Sequence, residues 1–190
     1  PSDMVYDSGE FAAVFEKALE FADIRNFNTR KEKSKQSGKL RGLGIGSYLE
    51  VTAPPSKEMG GVRFETGGKN AGDVTIITGT LDYGQGHAAP FAQVLSARLG
   101  VPFERVRLEQ SDSDLLVAGG GTGGSRSMMM SGAAIAEAAV KVIEQGRPLA
   151  AEALEAAAAD IEFHAGNFVV GGTDRKIGIL KLAEKFPGRL

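Results

Sequence analysis

Phe11, Val14, Phe15, Ala18, Leu19 and Ala22 recur at steps of three and four, the spacing of one apolar face of a helix. Asp7 stands ahead of them with Glu10 three positions on, the spacing of a capping box. Arg25 to Arg41 is basic (Arg30, Lys31, Lys33, Lys35, Lys39) and has little apolar periodicity, which predicts an exposed helix or linker. A nucleic-acid strip is the competing reading, but Phe27 is the only aromatic available for stacking. From Arg41 the period shortens to two. Leu43, Ile45, Ser47, Leu49 and Val51 alternate with glycines, Tyr48 and Glu50, which predicts a strand followed by a Pro/Gly loop over 53–61.

Val62 to Thr66 and Asp73 to Gly79 read as two further strands, joined through 67–72 by a hairpin-type connection. Phe91, Val94, Leu95 and Leu99 share a helical stripe. Pro90 fits only in that helix's first turn, so the helix should begin near His87, with Gly100 as its stop. Val106 to Gln110 is a short strand. Met128, Ile135, Ala139, Val142 and Ile143 then predict a helix from Ser127 that Gly146 and Pro148 should end, with a second alanine-rich helix over 148–159. Ile161–Phe163 and Asn167–Val170 flank His164-Ala165-Gly166 as a β-hairpin, and 177–185 closes as a short helix. Runs of neighbouring strands among helices predict an α+β fold with mixed strands, organised as a helical arm over 1–40 and an α+β region over 41–190.

Composition narrows the chemistry. At 190 residues and 42% hydrophobic the chain can bury a real core. A net charge of −2 gives no global pull towards nucleic acid or anionic membrane. With no cysteine there is no disulfide, thiolate metal site, iron–sulfur cluster or cysteine nucleophile, and the two histidines, His87 and His164, lie far apart. No apolar run approaches a membrane span and the first residues carry no secretory pattern, so the expectation is a soluble, cytoplasmic protein without a membrane span.

The 26 glycines cluster at 42–46, 60–72, 84–86 and 119–124. Two of these clusters, Tyr83-Gly84-Gln85-Gly86-His87 and Gly119 to Ser127, each open a helix. Helix starts carry unsatisfied N–H groups and partial positive charge, and glycine lets a ligand approach that backbone. Thr122, Ser125 and Ser127 add hydroxyls, Arg126 a charge, and Gln85 an amide able to read a heterocycle's edge. The bland readings are tight turns, N-caps at Ser125 and Ser127, and a first-turn cap or packing role for His87. Asp112 and Asp114 should simply face water. Neither loop is a dinucleotide or Walker-type motif, so the residues alone reach a phosphate-bearing ligand held between two loops.

Gly79-Thr80 with Gly84-Gln85-Gly86-His87, Phe91-Ala92-Gln93 and Leu99-Gly100-Val101-Pro102 resembles the molybdenum-binding large subunit of the xanthine dehydrogenase/aldehyde oxidase family. Gly121 to Ser127 with Gly132-Ala133-Ala134 is similar to that family's second cofactor loop. Tyr6-Asp7-Ser8-Gly9, Lys39-Leu40-Arg41-Gly42 and Asp160 to Phe163 extend the likeness to about Tyr6–Lys185. The match leans towards bacterial members, including the carbon monoxide dehydrogenase type. The resemblance implies a molybdopterin cofactor with molybdenum, in its cytosine dinucleotide form. It puts Gly84 and Gln85, with the Tyr83 backbone, at the pterin end, and Thr122, Gly124, Ser125 and Ser127 on the pterin and phosphate tail. The implied reaction is hydroxylation of an aldehyde, a N-heterocycle or carbon monoxide with oxygen from water. Its electrons would pass to iron–sulfur clusters and FAD on partner subunits.

Family large subunits are several times longer, and no segment here matches their catalytic glutamate. No catalytic or metal-ligating residue is therefore assigned, and Glu50, Glu58 and Glu65 are read as structural or solvent-facing. The chain alone should be inactive, needing the rest of the large subunit or a complementary chain. Two other functions stay open: a stand-alone phosphate or nucleotide binder, and an assembly fragment without redox chemistry.

Overall fold

The computed structural model describes residues 5–6, 8–49 and 57–190. The chain divides into two units, Pro1–Val51 and Thr52–Leu190. In the first, α1 (Phe11–Phe21) and α2 (Phe27–Gln36) form where predicted, and neither buries a residue within its own unit. Asp7, the expected cap, lies outside the described residues. Arg30 on α2 folds back to donate to the carbonyls of Ala22 and Asp23 and to the Asp23 carboxylate. A cation placed there complements the negative carbonyl end of α1.

The strand expected from Arg41 is a correction. Residues 41–49 are irregular and exposed, and Glu50 and Val51 lie outside the described residues. Alternation marks a chain able to join a sheet, but a strand exists only where a neighbour supplies its ladder.

In the second unit β1 (Gly60–Phe64) pairs antiparallel with β2 (Val74–Thr78), from Gly60 opposite Thr78 to Phe64 opposite Val74. β2 then pairs in parallel with β3 (Val106–Gln110), reached through helix α3 (Ala88–Leu99). Gly100 ends α3 in the left-handed conformation, as its position required. Val74 and Ile76 of β2 meet Phe91, Leu95 and Leu99 of α3 and Ile135 and Ala139 of α4 (Gly132–Leu154) in a fully buried core. Each of these side chains except that of Ala139 contributes about 1.5–3 kcal/mol by leaving water.

α4 corrects the expected break at Gly146 and Pro148: the helix runs unbroken for 23 residues. An interior proline costs about 3 kcal/mol, but Leu149, Ala150 and Ala151 beyond it are all buried and hold the last turns in register. Gly146 is a packing site, since a Cβ there would lie 2.3 Å from the ring of Phe168. That ring comes from a second sheet, where β4 (Ile161–His164) and β5 (Asn167–Val170) make the predicted hairpin. Its turn residues Ala165 and Gly166 both have positive φ. A third strand, β6 (Lys176–Gly178), was not foreseen, and it moves the start of α5 (Ile179–Lys185) past residue 178. Helices packed against two small sheets make the fold α+β.

Candidate functional site

β2 leaves its sheet at Thr78 and the chain turns through Gly79–His87 into α3. Asp82 organises this turn. Its carboxylate accepts the backbone N–H groups of Gly84 at 2.7 Å, Gly86 at 3.2 Å and His87 at 2.7 Å. To aim those amides at one carboxylate the backbone takes φ of +110° at Gly84 and +74° at Gly86, which explains why two glycines are needed. The His87 amide above all, then that of Gly84, holds the Asp82 carboxyl below the usual carboxylate range. The donors expected to attract a phosphate here are therefore already engaged by the chain's own anion.

Gln85 Oε1 in turn accepts the Tyr83 N–H at 2.6 Å, which directs the remaining capacity of its amide to the two Nε2 hydrogens. His87 is 5% exposed, stacks on Phe91 at 5.2 Å between centroids, and sits 3.2 Å from Gln110 Nε2 through Nδ1. It packs and caps. Among the described residues no cluster of His, Asp and Glu is arranged to hold a metal ion.

The second loop crosses the first at backbone contact. A Cβ on Gly79 would lie 2.4 Å from the Gly119 Cα, so neither position admits a side chain. Further on, the Ser127 hydroxyl donates to Thr122 Oγ1 at 3.1 Å and the Thr122 hydroxyl to the Leu81 carbonyl at 2.7 Å, a relay that stitches loop to loop. Arg126 Nε reaches the Gly121 carbonyl at 3.4 Å. Ser125 has φ of +53°, a strained region for a residue with a side chain. The chain then enters α4 through a wide π-turn over Ser127–Ser131, a form common beside functional sites. No side chain caps that turn, so the N-cap reading of Ser125 and Ser127 is not what the structure shows.

The two loops face one cavity of about 450 Å³, whose polar lining is Gln85, His87, Thr122, Ser125, Arg126 and Ser127. Four of the seven candidate residues meet there: Gln85, Thr122, Ser125 and Ser127. Tyr83, Gly84 and Gly124 are outside the lining. Among the described residues no carboxylate lines the cavity, which suits a ligand with acceptor atoms and negative charge. Asp112 and Asp114 are exposed as expected. Asp82 was missed, although an Asp two residues before a glycine turn is itself a signal for a side-chain-held turn. Glu58, set aside from the sequence as structural or solvent-facing, accepts three backbone N–H groups.

Residues 17–187 match the family described as molybdopterin cofactor-binding domain. The chain is similar to subunit gamma of the 6-hydroxypseudooxynicotine dehydrogenase complex of Paenarthrobacter nicotinovorans, 35% identical over 94% of this chain and 22% of that protein. It is also similar to the carbon monoxide dehydrogenase large chain of Hydrogenophaga pseudoflava, 34% identical over 90% of this chain and 22% of that one. Among solved structures, reconstituted CO dehydrogenase from Oligotropha carboxidovorans superposes with a TM-score of 0.63 at 28% identity, covering 94% of this chain and 24% of its counterpart. The chain thus spans about a quarter of the length of the relatives it matches.

Proposed function

The chain belongs to the molybdopterin cofactor-binding domain family of molybdenum-hydroxylase large subunits, and from that premise we propose that its two glycine loops form one wall of the cofactor's seat. The observation that carries this reading is the shared cavity lining, Gln85 from one loop with Thr122, Ser125 and Ser127 from the other. The donor set fits the group. Gln85 offers neutral N–H donors to the acceptor edge of a pterin, and Gly84 and the Tyr83 backbone set its position. The Ser125 hydroxyl and the Arg126 guanidinium face the phosphate tail, and Thr122, Ser127 and Gly124 shape that side of the seat, the first two through the relay to the Leu81 carbonyl. When bound, molybdopterin supplies the molybdenum at which the substrate is oxidised.

The finer parts of the reading follow from the same premise. The cofactor takes its cytosine dinucleotide form, and iron–sulfur and FAD subunits receive the electrons in the cytoplasm of a bacterium. One relative is a subunit of a dehydrogenase complex, which supports the expectation of partners. The functional division remains an arm over 1–40 and a cofactor region over 41–190. No helix among the described residues is long and apolar enough to cross a membrane. With no catalytic residue assigned to this chain, hydroxylation of an aldehyde, a N-heterocycle or carbon monoxide belongs to the whole large subunit.

The test is the pterin, phosphorus and molybdenum content of the chain, purified from a host that makes the cofactor. Pterin with phosphorus is expected, and in the complete large subunit Gln85→Ala and Ser125→Ala should each reduce it severalfold. Nucleotide without pterin would favour the stand-alone binder, and full retention by both variants would remove the assigned site.

A further inference from the structure

Glu58 lies in the lead-in to β1, and its carboxylate touches its own neighbour and two distant segments. Oε1 accepts the N–H of Met59 and the N–H of Gly79, both at 3.0 Å. Oε2 faces the N–H of Gly120 at a longer 3.4 Å. Gly79 is the residue at which β2 leaves its sheet for the first loop, and Gly120 belongs to the second.

The surroundings explain why a carboxylate stands there. With Gly60 opposite Thr78, the ladder of β1 and β2 stops one residue short of Gly79. The Gly79 N–H, no longer served by a strand, finds the Glu58 side chain, while its carbonyl accepts the Ser111 hydroxyl at 3.3 Å. A Cβ on Gly79 would fall 2.7 Å from Glu58 Oε1 as well as against the Gly119 Cα. On its other side Gly120 faces Arg126, whose Nη2 would lie 2.9 Å from a Cβ at that position. The second loop is therefore held between an anion on its N–H and a guanidinium beside it. A carboxylate, with two acceptor oxygens and several lone pairs, can join its own segment to amides of two distant ones, and its negative charge roughly doubles the strength of each bond.

We infer that Glu58 is a positioning residue: its carboxylate is the crosspiece that holds the exit of β2 and the second glycine loop at a fixed separation. The purpose of that separation, one ligand spanning both loops, rests on the cofactor reading above. The crosspiece itself does not.

The test compares the full chain with Glu58→Gln and Glu58→Ala by amide hydrogen exchange of individual glycines. Glu58→Gln has the same shape and keeps one acceptor oxygen, which will serve Gly79 and Met59 and turn an NH₂ towards Gly120. Exchange should then rise most at Gly120, by about tenfold, and less at Gly79, which keeps an acceptor but loses its charge. In Glu58→Ala it should rise at both Gly79 and Gly120. Gly84 and Gly86, held by Asp82, are controls that should not move in either variant, and that split between glycines is something a general loss of stability cannot produce. Should Glu58→Ala not fold, Glu58→Gln decides. Unchanged exchange at Gly120 in Glu58→Gln would overturn the role, whatever pterin the chain carries. The expected pattern in a chain whose parent retains no pterin would overturn the cofactor reading and leave the crosspiece standing.

Discussion

Thr78 and Thr80 flank Gly79 and point the same way, as residues two apart in an extended chain must. Their hydroxyls meet that of Ser131, the last residue of the π-turn before α4. The Thr80–Ser131 distance is 2.6 Å, the other two are 3.1 Å, and all three residues have no exposed surface. Three hydroxyls with three hydrogens close a ring in which each donates once and accepts once, tying the root of the first loop to the root of the second. Ser131→Ala removes one oxygen and two of the three bonds. Thr78 and Thr80 keep their mutual bond, but one buried hydrogen and one acceptor lose their partners. An unsatisfied buried group costs about 1–3 kcal/mol, so we expect a loss near 2 kcal/mol. In a chain of this length that lowers Tm by about 4–8 °C. The triple variant Thr78→Val, Thr80→Val, Ser131→Ala keeps the shapes and leaves nothing unpaired, so it should lose about 1 kcal/mol or less. Denaturant unfolding of the four single and triple variants measures this. A neutral Ser131→Ala, or a triple variant that loses the sum of the singles, would refute the ring as a coupled unit.

Two further outcomes follow from the packing and the charges. Asp73 is 4% exposed and held by Arg107 Nε at 2.8 Å and Arg105 Nη1 at 3.3 Å, Arg107 chiefly keeping its carboxyl below the usual range. The Thr75 hydroxyl first, then Arg63, does the same for Glu65. Because these folded values lie below the unfolded ones, their contribution is complete above about pH 5 and lost as pH falls through the depressed values. Unfolding midpoints measured from about pH 6 to about pH 3 should decline at the acid end, less steeply in Asp73→Asn; an identical decline in that variant counts against the assignment. Gly146→Ala gains about 1 kcal/mol of helix propensity but drives a methyl into the fully buried Phe168 ring, an overpacking worth about 1–3 kcal/mol. A net fall in melting temperature is expected, partly reversed by adding Phe168→Leu; a rise would mean that the ring has room to move.

What the sequence disclosed depends on how local the cause was. α3 could be read almost to the residue because its stripe, Pro90 in the first turn and Gly100 at the end all agreed. α4 was misread because Pro148 is a strong local breaker, and the packing that overrides it comes from residues on other elements. β6 escaped notice since Lys176-Ile177-Gly178 offers one apolar residue and no alternation. The alternation of 43–49 announced a strand for which no partner forms among the described residues. The site divides in the same way. Gln85 and the serine loop stood out through their glycines, and Asp82 sits within five residues of everything it holds. Glu58 reaches amides 21 and 62 residues away, and no spacing rule links such distances.

The two carboxylates also separate the candidate ligands. Asp82 satisfies the amides of the first loop internally, so that end of the proposed seat presents a neutral Gln85 amide and an anion behind it. The second loop presents the Ser125 hydroxyl and the Arg126 guanidinium. A ligand that laid phosphate on both loops would meet the Asp82 charge at the first and have to displace it from three hydrogen bonds. A heterocycle directed to Gln85, with its phosphate tail directed to Ser125 and Arg126, meets a complementary group at each end. The polarity of the cavity therefore favours a pterin with a phosphate tail over a polyphosphate stretched between two helix starts, and it does so through a residue, Asp82, that need never touch the ligand.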